Sequence, residues 1–103
     1  MNAITTHVLD LAAGRPRAGL TVRLARRTGE DWEPVAQAAT DADGRVREWP
    51  GAPDLAPGDH RLTFLTGGFY PEVSVVFRVE RPQDHHHVPL LLSPFGYTTY
   101  RGT

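Results

Sequence analysis

Hydrophobic and polar residues alternate in short runs along this chain, and turn-forming residues separate the runs at a spacing of about ten residues. A period of two is typical of strands with one buried face, and regularly spaced turns are typical of a β-sandwich or barrel. No segment carries a competing helical pattern. The sequence therefore predicts an all-β fold with eight strands: Ile4–Asp10, Leu20–Arg27, Glu33–Thr40, Val46–Trp49, His60–Thr66, Glu72–Glu80, His87–Leu92 and Tyr97–Arg101.

Two of these strands differ in how their apolar residues are distributed. The strand at Glu72–Glu80 alternates, and one face is predicted to join the core through Val73, Val75, Phe77 and Val79. The strand at His87–Leu92 is apolar on both faces, so its second face also needs a cover. Because the chain is small, we expect a second copy of the same sheet to provide that cover. Pro89 has no N–H, so we expect its position to face away from a ladder partner.

Composition and charge narrow the class of protein. The chain has 103 residues, so we expect one domain over residues 1–103. All eleven basic residues are arginine and the net charge is −1, which leaves no basic field for a nucleic-acid partner. No stretch approaches the roughly 20 apolar residues of a membrane span, and residues 1–10 lack a signal-peptide pattern. We therefore expect a soluble, cytoplasmic protein with no membrane partner.

The absence of cysteine leaves histidine, arginine and hydroxyl groups to carry any chemistry. His7 lies in the first predicted strand, on the same face as Thr5 and Leu9. A lone histidine in a strand is more often a hydrogen-bonded structural group than a catalyst. His7 alone therefore does not identify a site.

The three consecutive histidines at residues 85–87 allow two interpretations. His85 and His87 project to the same face of an extended strand, where they are able to share a metal ion. A zinc site needs three or four ligands, so His7, His60 or a carboxylate would have to complete it. The alternative is a solvated polar turn, which suits His85 and His86. His87 opens the apolar strand, so we expect its ring at the edge of an interface.

Two further segments are ambiguous in isolation. Arg45 follows the tight turn at residues 41–44, and its guanidinium offers a planar fork of donors for an anionic or carbonyl-rich ligand. Most arginines after turns are simply solvated. The last four residues, 100–103, follow a predicted strand closely, so we expect them to be anchored rather than frayed.

Three segments together match one family. They are Thr-His-Val-Leu-Asp at residues 6–10, Thr-Asp-Ala-Asp-Gly-Arg at 40–45, and the ending His-Val-Pro-Leu-Leu-Leu-Ser-Pro-Phe-Gly-Tyr-Thr-Thr-Tyr-Arg-Gly-Thr at 87–103. This combination resembles the 5-hydroxyisourate hydrolases, the transthyretin-related proteins of purine catabolism. The resemblance covers nearly the whole chain, and the last segment is its most specific part.

The resemblance implies a transthyretin-like (prealbumin-like) sandwich of two four-stranded sheets and a homotetramer built as a dimer of dimers, with active sites between the dimers. It implies a cyclic amide hydrolase of urate degradation that acts without metal or organic cofactor. The catalytic residues of the family fall on His7, Arg45 and His87. Its substrate-binding residues fall on Tyr100, Arg101, Gly102 and Thr103. We expect one imidazole to act as general base and Arg45 to stabilise developing negative charge.

The chain departs from the family pattern at two places. Thr103 stands where the family usually ends in serine, which keeps the hydroxyl and adds a methyl group. The connection at residues 66–71 is shorter than the family's, which normally holds a short helix between the fifth and sixth strands. We expect that helix to be missing, with an effect on the edge of the sandwich before any effect on catalysis.

Two other function classes compete with the enzyme. A transthyretin-like carrier would hold a small molecule in the same channel without catalysis, but the catalytic His and Arg positions and the terminal motif are absent from transthyretin itself. A structural β-sandwich would not require polar residues from three distant segments to match one catalytic pattern. Both alternatives therefore rank below hydrolysis.

Overall fold

A computed structural model describes residues 4–103 of the chain. Residues 1–3 lie outside the described residues. They belong to the domain predicted over residues 1–103 and to residues 1–10, in which no signal peptide is expected. The described residues form strands and turns without a helix, so the all-β prediction is confirmed. They also contain no helix able to cross a membrane. In chain order the strands are β1 (Ile4–Asp10), β2 (Arg15–Pro16), β3 (Thr21–Thr28), β4 (Asp31–Ala39), β5 (Arg45–Val46), β6 (Gly58–Phe64), β7 (Val73–Val79), β8 (His86–Leu92) and β9 (Tyr97–Thr99).

The strands pack as two sheets, as predicted for a transthyretin-like sandwich. One sheet has the order β4-β3-β6-β7 and is antiparallel throughout. The other has the order β2-β1-β8-β9, with β5 also paired to β1. It has five strands because two short pairings, β2 and β5, both lie along β1. At its centre β1 and β8 run parallel over seven residue pairs, from Ile4 opposite His86 to Asp10 opposite Leu92.

The core lies between the inner faces of the two sheets. Alternate residues of each strand point into it, as the period of two requires. The predicted inner face of β7 is confirmed, because Val73 and Val79 are buried and Val75 and Phe77 pack against the core. The largest fully buried apolar side chains, drawn from both sheets, are Phe64, Ile4, Leu24, Leu62 and Leu90.

Pro89 explains why the last predicted strand, Tyr97–Arg101, is observed only as Tyr97–Thr99. Beyond β9 the chain keeps the same register along β8, and Gly102 N–H donates to the His87 carbonyl at 2.8 Å. Between these two pairings the ladder would need an N–H from Pro89, which has none. The Pro89 carbonyl instead accepts a hydrogen bond from Thr99 Oγ1 at 2.8 Å. Pro89 therefore interrupts the pairing, and Gly102 restores it.

Two other sequence predictions need correction. Arg15 and Pro16, which lie outside the predicted strands, form β2 against β1. The strand predicted over Val46–Trp49 is observed as Arg45–Val46. It ends early because Trp49 turns into the core, where its indole N–H donates to the Ile4 carbonyl at 2.9 Å.

The connection between β6 and β7 contains no helix, as its short length predicts. Gly67 and Gly68 adopt φ values of 69° and 87°, which let the chain reverse within a few residues. Gly67 N–H closes the turn on the Pro71 carbonyl at 3.0 Å. This turn does not contribute to the site described below.

Candidate active site

The outer face of the five-stranded sheet, which points away from the four-stranded sheet, carries the predicted histidines. Alternation along β1 places Thr5, His7 and Leu9 on this face, while Ile4, Thr6 and Val8 are buried on the inner face. The parallel register sets Thr5 opposite His87 and His7 opposite Pro89. Two imidazoles that are 80 residues apart in sequence therefore lie side by side on neighbouring strands.

The turn before β5 places Arg45 beside His7. Asp41 Oδ1 accepts hydrogen bonds from the backbone N–H groups of Asp43 and Arg45, both at 2.9 Å. Gly44 has φ 78°, and a Cβ at this position would lie 2.5 Å from the Val8 carbonyl oxygen of β1. Only glycine combines this backbone conformation with so close an approach. The turn thus brings β5 against β1, with Arg45 paired to His7.

His7 is held in one protonation pattern by a backbone carbonyl. Its Nε2 lies 2.8 Å from the Asp43 oxygen, and a carbonyl only accepts hydrogen bonds, so Nε2 carries the proton. In the neutral ring, Nδ1 is then the nitrogen with a free lone pair. The turn that positions Arg45 therefore also fixes the tautomer of His7.

His87 is held from both sides of its ring. On one side, Nδ1 lies 2.8 Å from Thr5 Oγ1. On the other side, a Cβ on Gly102 would lie 2.5 Å from His87 Cδ2, so only a residue without a side chain fits there. Partial burial lowers the pKa of His87 below its usual 6.5, and the positive charge of Arg45 and the imidazoles of His85 and His7 lower it further. His87 is consequently neutral at pH 7.

Two arginines near the site differ in their partners. Arg47 forms ion pairs with Asp41 at 2.6 Å and with Asp43 at 3.3 Å. The backbone N–H of Arg45 and the charge of Arg47 keep the pKa of Asp41 below its usual range, so Asp41 stays ionised. The guanidinium of Arg45 has no ion pair or hydrogen bond to any of residues 4–103. Of these two arginines, Arg45 is the one that remains available to a ligand.

A cavity of about 400 Å³ lies beside Arg45 and His87, and its lining also includes His85, Thr5 and Thr103 but not His7. The predicted terminal residues divide between this cavity and a second one. Tyr100 and Arg101 are exposed and line a neighbouring cavity of about 440 Å³, to which His87 also contributes. The structure therefore brings Arg45, His87 and Thr103 together with His7 beside them, and Gly102 supports His87. Tyr100 and Arg101 lie on the far side of His87.

The consecutive histidines do not share one environment. His85 is exposed and its Nε2 lies 2.7 Å from Thr5 Oγ1, so it belongs to the same hydrogen-bond group as His87. His86 is half-buried, and its Nδ1 has no partner within residues 4–103. In that same part of the chain, no group of three or more His, Asp or Glu side chains is arranged to hold a metal ion. The predicted solvated turn therefore agrees with the exposure of His85 but not with the partial burial of His86.

A larger groove lies elsewhere, on the outer face of the four-stranded sheet. It measures about 680 Å³ and contains none of the residues that the sequence predicted for a site. Trp32 in this groove is flanked by the guanidinium groups of Arg27 at 4.7 Å and Arg61 at 4.6 Å. The groove contains no histidine, so it lacks a group that exchanges protons near pH 7.

Two contributors to the site were not predicted from the sequence. Thr5 was placed on the correct face, but its bonds to His85 and His87 depend on the parallel pairing of β1 with β8, which alternation does not reveal. The carbonyl of Asp43 has no sequence signal, because every residue has a backbone oxygen. Thr5 was accessible in principle, since it shares a face with His7.

Comparison with known proteins finds the same family that the sequence motifs resemble. A profile described as the HIUase/Transthyretin family matches residues 4–102. A protein of Caulobacter vibrioides named 5-hydroxyisourate hydrolase is 46% identical, with 100% of both chains covered. The structure of Klebsiella pneumoniae 5-hydroxyisourate hydrolase is similar with a TM-score of 0.84 and 34% identity, and covers 100% of both chains. Sea bream transthyretin in complex with thyroxine has a TM-score of 0.88 at 26% identity, covering 98% of this chain and 95% of its own.

Proposed function

The chain belongs to the HIUase/Transthyretin family, and we propose that it hydrolyses 5-hydroxyisourate at the basic cluster formed by His7, Arg45 and His87. The observation that carries the site assignment is the convergence of two imidazoles and an unpaired guanidinium beside one open cavity. Relatives named 5-hydroxyisourate hydrolase favour hydrolysis over a carrier function. The backbone alone does not separate the two, since the transthyretin fold matches equally well.

The reaction opens a ring amide and yields 2-oxo-4-hydroxy-4-carboxy-5-ureidoimidazoline, an intermediate of urate degradation. Water attacks the ring carbonyl carbon while an imidazole accepts the proton of the water. The carbonyl oxygen gains negative charge, which Arg45 stabilises. The bond between carbon and ring nitrogen then breaks, and the imidazolium returns its proton to that nitrogen. Atoms and charge balance with water as the only co-reactant.

We assign the general base to His87. Its lowered pKa keeps it neutral at pH 7, and its Nε2 has no hydrogen-bond partner within residues 4–103. His7 donates through Nε2 to Asp43, so its Nδ1 accepts a hydrogen bond from the water or from a substrate N–H. Thr103 serves substrate binding from the cavity of Arg45 and His87 in this proposal, and Tyr100 and Arg101 serve it from the neighbouring cavity that His87 also lines. Gly102 acts through the position of the His87 ring.

The proposed reaction uses no metal and no organic cofactor, because the imidazoles move the proton and Arg45 stabilises the developing charge. Dialysis against EDTA should therefore leave the turnover rate unchanged. A loss of rate that added zinc restores would reinstate the interpretation of the histidines as metal ligands.

We propose a homotetramer, a dimer of dimers, with the basic cluster facing a second copy of the sheet. The apolar part of the outer face supports this assembly, because Leu9 and Leu91, which are paired on β1 and β8, are only partly buried within one chain and need a cover. Sedimentation should report about four times the 11.4 kDa of one chain. A clean monomer with full activity would contradict it.

We also propose that residues 1–103 act as one domain in the cytoplasm, which cell fractionation tests.

The direct test of the function follows the ultraviolet absorbance of freshly generated 5-hydroxyisourate. The protein should accelerate its decay in proportion to protein concentration, beyond the spontaneous rate. The carrier alternative predicts saturable binding of a small hydrophobic ligand and no change in the decay rate.

A further inference from the structure

Thr5 occupies a central place in the basic cluster that the catalytic assignment does not use. Its hydroxyl oxygen lies 2.7 Å from His85 Nε2 and 2.8 Å from His87 Nδ1, so one hydroxyl links two imidazoles. Thr5 is half-buried on β1 and sits directly opposite His87 on β8. The neighbouring Thr6 is different, because it is fully buried and donates to the Val88 carbonyl at 2.5 Å. Thr6 serves the fold, whereas the hydroxyl of Thr5 contacts only imidazoles among the described residues.

The number of protons limits how these three groups can be arranged. A hydroxyl has one donor hydrogen and accepts at its lone pairs, so Thr5 donates to at most one of the two imidazoles. If Thr5 donates to His85 Nε2, it accepts from His87 Nδ1–H, and His87 Nε2 then has the free lone pair. If Thr5 donates to His87 Nδ1, the proton of neutral His87 is on Nε2. Nε2 is able to accept a proton from water only when Thr5 does not donate to His87 Nδ1, and the first arrangement meets this condition with both hydrogen bonds made.

We propose that Thr5 is a positioning residue that, together with His85, holds His87 in the tautomer with the proton on Nδ1. This inference rests on the proposed hydrolase function and on His87 as its base. His85 contributes the acceptor that draws the Thr5 hydroxyl hydrogen away from His87. When His87 Nε2 takes up the proton of water, the Nδ1–H bond to Thr5 persists and stabilises the imidazolium.

The arrangement contrasts with that of His7. A backbone carbonyl only accepts, so the bond to Asp43 fixes the tautomer of His7 without help. A hydroxyl is able to donate or accept, so the bond from Thr5 fixes the tautomer of His87 only if a third group sets the direction of the hydroxyl. His85 is the group in position to do so.

The test compares Thr5→Val, Thr5→Ser and His85→Ala with a matched control, Thr63→Val. Thr63 lies on the other sheet, and its hydroxyl bonds to Ser74 at 3.1 Å, away from the basic cluster. Thr5→Val should lower kcat about ten- to hundredfold with little change in KM, because the base loses its orientation and tautomer. Thr5→Ser should restore kcat to within about threefold, and His85→Ala should lower it by less than Thr5→Val. Thr63→Val should leave kcat unchanged.

A second readout does not depend on turnover. The nitrogen chemical shifts of ¹⁵N-labelled His87 report which ring nitrogen carries the proton. They should indicate Nδ1–H in the wild-type protein and Thr5→Ser, and a shift toward Nε2–H in Thr5→Val and His85→Ala. If Thr5→Val keeps both the wild-type kcat and the wild-type tautomer, or if Thr5→Ser is as impaired as Thr5→Val, the proposal is overturned. A wild-type protein that does not hydrolyse 5-hydroxyisourate but shows these tautomer shifts would refute the function and leave the hydrogen-bond arrangement standing.

Discussion

The two faces of the five-stranded sheet come from the same strands but differ in almost every other respect. On the inner face, Ile4, Val8 and Leu90 are buried and pack against the four-stranded sheet. On the outer face, one residue away from buried neighbours, Thr5, His7 and His87 are polar, half-buried and hydrogen-bonded. A period of two therefore lets one residue of a strand belong to the core while the next residue belongs to the candidate site. Substitutions on one face should therefore leave the property carried by the other face largely intact.

The largest effect is expected on the outer face, from His87→Ala. Removal of the general base should lower kcat/KM by about a hundred- to ten-thousandfold, because proton transfer from water is lost. The midpoint of chemical unfolding should change little, since the His87 ring is not part of the core. Kinetics and denaturant titration on the same sample measure both quantities. A variant with full turnover would remove His87 from the mechanism.

Leu90→Ala should produce the opposite pattern. Leu90 is completely buried on the inner face, so its truncation should lower the free energy of unfolding by about 2–5 kcal/mol. The fraction of protein that remains folded should retain most of its specific activity, because Leu90 belongs to the core on the face of the sheet opposite the basic cluster. Unfolding in urea with activity measured at low denaturant checks both. A large loss of specific activity in the folded variant would show that the two faces are coupled.

Gly102→Ala tests the contact that holds the His87 ring from the side opposite Thr5. The new Cβ would lie 2.5 Å from His87 Cδ2 and 3.1 Å from Cβ and Cγ, so the ring must move. A displacement of about 1 Å at a catalytic group costs up to a hundredfold in rate, so we expect a ten- to hundredfold loss in kcat. Gly19→Ala is the control, because nothing lies within 4 Å of a Cβ at that position. Its φ of 72° is unfavourable for alanine, so this variant also measures how much activity is lost through lower stability alone. Equal activity losses in both variants would contradict a specific role for Gly102.

The smallest effect concerns pH and a histidine of the core. His60 is 1% exposed and donates through Nδ1 to the Gly58 carbonyl, and burial lowers its pKa below the usual 6.5. The unfolded chain therefore binds more protons, so stability is complete above about pH 6.5 and falls as the pH decreases through that value. His87 contributes in the same direction. Asp59, with its pKa lowered by Arg78, adds a loss only below about pH 4.

The free energy of unfolding, measured between about pH 7 and 5, should decrease less steeply in His60→Gln than in the wild-type protein. His87→Ala serves as the matched comparison, because it removes the other histidine with a lowered pKa. Identical slopes in the wild-type protein and His60→Gln would show that His60 does not contribute.

Much of the fold was predicted from alternation and turn-forming residues. The ends of some strands were not, because they depend on strand register and on core packing. The inner face of β7 was predicted correctly, because burial of Val73 and Val79 depends only on a period of two. The end of β9 was not, because the effect of Pro89 depends on the register between β8 and β9, which alternation does not reveal. The early end of β5 depends on Trp49, whose place in the core follows from its bond to Ile4.

The candidate site was also predicted only in part. The residue types at His7, Arg45 and His87 were identified from the sequence motifs, and the structure places these three residues together. The hydrogen-bond partners that decide their protonation were not identified, because Thr5 and the Asp43 carbonyl act through a register that sequence spacing does not contain.

The most direct test of the central claim compares Arg45→Gln with Arg47→Gln in the ultraviolet assay of 5-hydroxyisourate decay. The two arginines lie two residues apart beside the same cavity, but Arg47 is paired with Asp41 and Asp43 whereas Arg45 is unpaired. Loss of a positioned group that stabilises developing charge costs about 3–4 kcal/mol of barrier, so Arg45→Gln should lower kcat by about a hundred- to a thousandfold. Arg47→Gln should lower it less than about tenfold, since its ion pairs are exposed. Equal effects of the two substitutions, or full activity of Arg45→Gln, would contradict the account.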